Sequence, residues 1–133
     1  MEPAPLLQSQ KTILVVDDDA LTLGFVAETM ADKYRVLTAD SGEDALKQSR
    51  NFKNEIHLLL SDFQMKGMTG IDLATQITVE RPQIKVLLMS GYTAGMLVLN
   101  EGWHFLPKPF IPSQLHVLVA GLISPAKSKF EAA

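Results

Sequence analysis

The chain has 133 residues, 47% hydrophobic and 20% charged, with a formal net charge of −3 and no cysteine. This length predicts one domain with a single proper core, and the missing cysteine excludes disulfides, thiolate metal sites and cysteine nucleophiles. The acidic balance gives no footprint for direct nucleic-acid binding, no apolar run approaches the ~18 residues of a membrane span, and no signal-peptide pattern opens the chain. The expectation is a soluble cytoplasmic protein that does not contact membranes.

Residues 1–10 carry Pro3, Pro5, Gln8 and Gln10 without periodicity and read as a flexible leader. Lys11 introduces Thr12-Ile13-Leu14-Val15-Val16, apolar and rich in β-branched residues, a central strand that ends in Asp17-Asp18-Asp19. From Ala20 the pattern turns helical, with Leu23, Val26, Ala27 and Met30 on one face; Gly24 costs some propensity there. Tyr34 to Ala39 form a short second strand. Asp40-Ser41-Gly42 make a turn, and Ser41 with Asp44 resembles a capping box opening a helix over Gly42 to Ser49.

Leu58-Leu59-Leu60-Ser61 is a third, buried strand that stops at Asp62. In open α/β sheets ligands bind at the carboxyl ends of strands, where Asp62 sits; an Asp that merely caps a loop is an equally good reading of this segment alone. Lys66-Gly67-Met68-Thr69-Gly70 form a loop into a helix from Ile71 to Glu80, ended by Arg81-Pro82. Ile84 to Met89 give a fourth buried strand that runs into Ser90-Gly91. A short fourth helix is expected between Tyr92 and Glu101, although Gly95 interrupts it and Met96 to Leu99 are contiguous rather than periodic. Trp103 to Leu106 form a brief fifth strand before Pro107-Lys108-Pro109. Pro112 starts the last helix, with Leu115, Leu118, Val119 and Leu122 on one face and Ser124-Pro125 as its stop. Residues 11–123 thus form the domain, and 124–133 read as a loose tail.

Strands alternating with helices predict an α/β fold, a doubly wound five-stranded parallel sheet with five helices. Right-handed crossovers then bring Asp17, Asp18, Asp62, Ser90 and Lys108 to one edge. Three carboxylates crowded there repel, and burial raises their pKa further. A hard divalent cation relieves this, and Mg2+ suits a few carboxylates plus a phosphate. Lys108 supplies a compact positive charge for phosphoryl oxygens, and Ser90 a hydroxyl. This is the inventory of a phosphoryl-transfer site working by positioning and electrostatics, with an Asp able to act as nucleophile.

From Lys11 to Ile123 the chain resembles the receiver domain of two-component response regulators. The resemblance is carried by Val15-Val16-Asp17-Asp18-Asp19, Asp62-Phe63-Gln64-Met65 with Met68 and Gly70, Leu88-Met89-Ser90-Gly91, and Phe105-Leu106-Pro107-Lys108-Pro109-Phe110. It implies a flavodoxin-like sheet of order 2-1-3-4-5. It further implies that Asp62 accepts a phosphoryl group from a histidine kinase or phosphotransfer protein. Asp18 would bind Mg2+ directly and Asp17 mainly through water, with Asp62 and the Gln64 backbone carbonyl completing the protein's ligands. Lys108 would pair with Asp62, Ser90 would move toward the acyl phosphate, Phe105 would be the switch aromatic, and Lys108-Pro109 would be cis. Met89-Ser90-Gly91-Tyr92 and the Phe105–Phe110 run resemble hybrid histidine kinase receivers more than transcriptional ones. A stand-alone receiver and a domain of a longer protein both fit.

Several positions depart from the family. Lys66 stands where it usually has Pro, Glu101-Gly102 replaces Gly-Ala, and Ser90 and Lys108 are closer by about one helical turn. The missing turn falls on the fourth helix, part of the usual output surface, so the downstream protein partner and any homodimer stay open. Gln64 and Tyr92 flank the pocket where the family tunes phosphate lifetime. Asp19 reads as solvated beside the site. His57, His104 and His116 read as structural or surface groups, Trp103 as packing or a partner surface, Met96 to Leu99 as core or a docking patch, and Lys127 and Lys129 as a solvated tail. Two other functions are weighed. One is a receiver-like scaffold acting without phosphorylation. The other is a haloacid-dehalogenase-type phosphatase, suggested by Asp17-x-Asp19 but lacking the acidic pair after its Lys, since only Glu131 follows Lys108.

Overall fold

Three apolar runs become the buried centre of one parallel sheet in the computed structural model, which describes residues 10–91 and 102–123. Strands β1 (Thr12–Val16), β3 (Leu58–Asp62) and β4 (Lys85–Ser90) are buried at every position except Lys85. Unbroken runs of this kind suit a parallel sheet covered on both faces. The strands β2 (Arg35–Ala39) and β5 (Trp103–Pro107) take the edges, in the order β2-β1-β3-β4-β5, and every pairing is parallel. The expected flavodoxin-like order is the one found.

Strand alternation divides the core into two layers. Ile13, Val15, Leu58, Leu60, Leu87 and Met89 pack against Val26 and Met30 of α1 (Ala20–Ala31) and Leu115 and Val119 of α4 (Pro112–Ile123). On the other face Leu14, Val16, Leu59, Val86 and Leu88 meet α2 (Gly42–Asn51) and α3 (Gly70–Glu80) through Ala45, Leu46, Leu73, Ala74 and Ile77. The expected helix between Tyr92 and Glu101, the leader, the tail and the stop at Ser124-Pro125 lie outside the described residues. No described helix is long and apolar enough to cross a membrane.

The element ends correct the sequence reading in detail. Ser41 caps α2 by accepting from the Asp44 amide, but the reciprocal capping box forms at Thr69 and Asp72, at the start of α3. There the Asp72 side chain returns a bond to the Thr69 amide, satisfying two helix-end donors at once. His57 has a structural role, as expected: its Nδ1 accepts from the Thr12 amide at 3.0 Å, while its own amide donates to the Thr12 carbonyl at 2.8 Å.

Arg81 does more than end α3. Its guanidinium donates to Ser49 Oγ and the Ser49 and Phe52 carbonyls, each at 2.8 Å, and to the Asn54 carbonyl at 2.9 Å. Carbonyls left over at the end of α2 are thereby satisfied by a planar fork. Lysine cannot reproduce that fork, so Arg81→Lys should lower stability by about 2 kcal/mol. Urea denaturation followed by circular dichroism measures this, and an unchanged midpoint would show that water replaces the fork without cost.

Candidate functional site

The register of the central strands brings the acids together. Val16 pairs with Ser61, so Asp17 and Asp62, the next residues along, leave adjacent strands side by side. Asp17 is 1% and Asp62 8% exposed, whereas Asp18 faces solvent. One carboxylate oxygen from each of Asp17, Asp18 and Asp62 lies within 4.8 Å of the others, a grouping able to hold a metal ion. Lys108 enters from β5. Its backbone N–H donates to the Ser90 carbonyl at 2.7 Å, and the Lys108-Pro109 bond that follows is cis. Its Nζ donates to Asp62 Oδ1 at 2.9 Å and stands 3.5 Å from Asp17 Oδ2.

Burial pushes the Asp17 carboxyl above its ordinary range, and the Asp62 charge adds to this; the Asp19 amide and Lys108 offset it only in part. For Lys108, burial pulls the other way, but the Asp62 hydrogen bond and the two nearby carboxylates outweigh it, so its pKa is raised and it stays charged. The Lys108 ammonium is therefore set against two buried carboxylates, with Asp18 grouped beside them. Among the described residues Asp17 Oδ2 is buried without a hydrogen-bond partner, with only the Lys108 ammonium facing it at 3.5 Å. An orphaned anionic oxygen next to two further carboxylates is the donor set a hard divalent cation takes, so the residues present fit Mg2+. The acid run splits as the sequence suggested. Asp19 is exposed and caps α1, accepting from the Thr22 amide and hydroxyl, which hold its carboxyl below the usual range.

The remaining expected residues surround this cluster. Ser90 is buried at the end of β4. Phe105 is half-buried on β5 in register with Leu88, and strand alternation puts Ser90, two residues beyond Leu88, on that same face. Gln64 is exposed in the loop after Asp62, whose start is held by the Phe63 amide donating to the Met89 carbonyl at 2.7 Å. Tyr92 lies outside the described residues.

A model of the response regulator receiver domain matches residues 13–120. The chain belongs to this family. Among curated relatives, the receiver is 33% identical over 128 residues to sensor kinase CckA of Brucella abortus, covering 92% of this chain and 14% of that one. It is 34% identical over 110 residues to the two-component response regulator ORR3 of Oryza sativa, covering 77% of this chain and 83% of that one. It spans only 23% of the hydrogenase transcriptional regulatory protein HoxA of Cupriavidus necator. Against solved structures, the receiver domain of hybrid histidine kinase CckA superposes with a TM-score of 0.75 at 31% identity, over 85% of this chain and 99% of that one. Response regulator TrrA of Thermotoga maritima, solved in complex with Mg(2+)-BeF, gives 0.74 at 28% identity over the same shares.

Two features of this receiver escaped the sequence reading. The backbone N–H of Lys66 donates to Asp18 Oδ2 at 2.9 Å, a main-chain contact that no residue type announces. Gly70, noted only as part of a motif, packs so closely that a Cβ there would collide with the Asp62 carbonyl oxygen and lie 3.0 Å from Phe63 Cα. Both obstacles are backbone and cannot swing aside. Gly70→Ala should therefore cost about 2–3 kcal/mol and displace the Asp62 carbonyl; an alanine variant with unchanged thermal stability would contradict this close packing.

Asp17 yields a second prediction. Its raised pKa means the folded state keeps a proton that the unfolded chain has lost, so this group lowers stability as pH rises above its ordinary value of 3.8. In EDTA-containing buffer, Asp17→Asn should be more stable than wild type by about 1 kcal/mol at pH 7, the scale of a buried unsatisfied group. Denaturation at several pH values should show the gap closing toward pH 3–4. A gap that does not depend on pH would assign the cost to something other than the buried charge.

Proposed function

We propose that this receiver is a phosphorylation switch in which Asp62 accepts a phosphoryl group from a phosphohistidine on a histidine kinase or phosphotransfer protein. The observation that carries the reading is the 2.9 Å Lys108–Asp62 pair set against two further carboxylates at the same sheet edge. The Asp62 carboxylate attacks phosphorus, the donor's P–N bond breaks with its electron pair going to imidazole, and the new O–P bond makes an acyl phosphate. Attack by water later returns the carboxylate and releases inorganic phosphate.

Asp17, Asp18, Asp62 and the Gln64 backbone carbonyl would hold Mg2+. When bound, the ion supplies positive charge against the phosphoryl oxygens and the crowded carboxylates. Lys108, anchored by its backbone bond to the Ser90 carbonyl, gives a second positive charge at Asp62. The Ser90 hydroxyl donates to a phosphoryl oxygen once one is present. A phosphoryl group adds about −1.5 to −2 charges. Lys108 and Ser90 feel that charge at the ends of β5 and β4, and Phe105 on the shared face carries the adjustment toward the surface that a downstream protein reads. The switch occupies residues 11–123 and works in the cytoplasm, within reach of its kinase.

Two alternatives make different demands. The haloacid-dehalogenase arrangement needs Asp19 in the cluster, where instead it caps α1. A scaffold acting without phosphorylation shares the fold but makes no acyl phosphate. Intact mass after incubation with acetyl phosphate and Mg2+ separates it from the switch. The expected product carries one phosphoryl group, absent with excess EDTA and absent from Asp62→Asn. Unmodified wild-type protein would overturn the switch and favour the scaffold.

A further inference from the structure

Each carboxylate of the acidic cluster accepts a hydrogen bond from the chain. Asp17 Oδ1 accepts from the Asp19 amide, Asp62 Oδ1 from Lys108 Nζ and Asp18 Oδ2 from the Lys66 amide, all at 2.9 Å. The third bond joins residues 48 apart in sequence and links the β1–α1 loop to the β3–α3 loop. It thus connects the two segments that supply the acids of the first strand end and the Gln64 carbonyl. Asp18 is the exposed member of the cluster, and an exposed side chain keeps its rotamer freedom unless a bond removes it.

We propose that the Lys66 backbone N–H is a positioning donor for the metal site. It fixes the Asp18 carboxylate and the Gln64-bearing loop relative to each other before the cation arrives. This inference rests on the Mg2+ reading given above. A carboxylate has about four acceptor positions, so one hydrogen bond leaves lone pairs for a metal while setting the group's orientation. Outer donors to ligating carboxylates are worth roughly 10–100-fold in metal affinity. Because the donor is main chain, almost any residue at 66 serves. Proline, the residue the family usually has at this position, lacks the N–H, so this donor belongs to this chain and is not a requirement of the family's metal site. The Lys66 side chain is exposed and carries a positive charge, a separate influence that the alanine variant removes while keeping the amide.

Two variants separate the two influences. Mg2+ dissociation constants are measured by isothermal titration calorimetry on wild type, Lys66→Ala and Lys66→Pro, alongside the Mg2+-induced rise in Tm. Lys66→Ala should bind Mg2+ at least as tightly as wild type, since it keeps the amide and loses only the exposed positive charge. Lys66→Pro should bind about 10-fold more weakly than Lys66→Ala. Equal affinities for the Ala and Pro variants would overturn the inference. A wild type giving neither binding heat nor a Tm shift would overturn the Mg2+ reading itself, and the inference with it. Since proline also restricts Met65, a second measurement needs no change in the loop. Asp18→Ala should shift the Lys66 amide proton in the NMR spectrum and accelerate its hydrogen exchange. An amide unaffected by losing Asp18 would overturn the inference equally.

Discussion

The crowding of three carboxylates at one strand edge sets the terms for the rest of this receiver. Two are buried, one has an oxygen with no hydrogen-bond partner among the described residues, and the Lys108 ammonium stands beside the buried pair. Such a cluster opposes folding, because each charge would be better solvated in water. It persists because the strands beneath it cannot move apart. Val16 pairs with Ser61 and Asp62 with Met89 in adjoining parallel ladders, and the residues that follow them inherit that spacing. The unfavourable electrostatics lie in the free protein and are relieved by positive charge, which makes the site receptive to a cation and to the Lys108 side chain.

Holding that edge still is the task of the two core layers. The helices α1 and α4 press on one face and α2 and α3 on the other, so the central strands are gripped from both sides. The loops add a second level of restraint made largely from main-chain bonds. The Phe63 amide reaches the Met89 carbonyl, the Gly70 amide the Phe63 carbonyl, and the Lys108 amide the Ser90 carbonyl. Every one of these bonds begins or ends next to a functional side chain. A change in charge at Asp62 therefore acts on an already connected frame rather than on independent loops. The Arg81 fork secures the far end of the α2–α3 layer, away from the chemistry, and the Thr69–Asp72 box the near end, where Gly70 packs against the Asp62 carbonyl.

Much of this was legible in the residues. Apolar runs interrupted by acids at Asp17 and Asp62, a hydroxyl at Ser90 and an amine at Lys108 sufficed to predict a parallel sheet and the cluster, since side-chain chemistry and the succession of apolar runs are local properties of the sequence; the strand order came from the family resemblance. The Asp19 reading was half complete: it lies outside the cluster, as expected, but its use as the α1 cap depends on the extended backbone it adopts at that point. At Ser41 and Asp44 the motif pointed to a capping box, yet the full reciprocal box is at Thr69 and Asp72. The same residue pattern occurs at both places, and only the side-chain geometry distinguishes them.

The sequence by itself determined the fold class, the succession of described elements and the chemical groups delivered to one edge, because those follow from hydrophobic period and residue type. Tertiary structure alone decided which acid is buried and orphaned, which lone pair Lys108 occupies, why residue 70 tolerates no side chain, and that a backbone amide 48 residues away holds Asp18. Those facts depend on distances of a few tenths of an ångström between segments remote in the chain and on main-chain donors that every residue but proline carries, so no pattern of side chains encodes them.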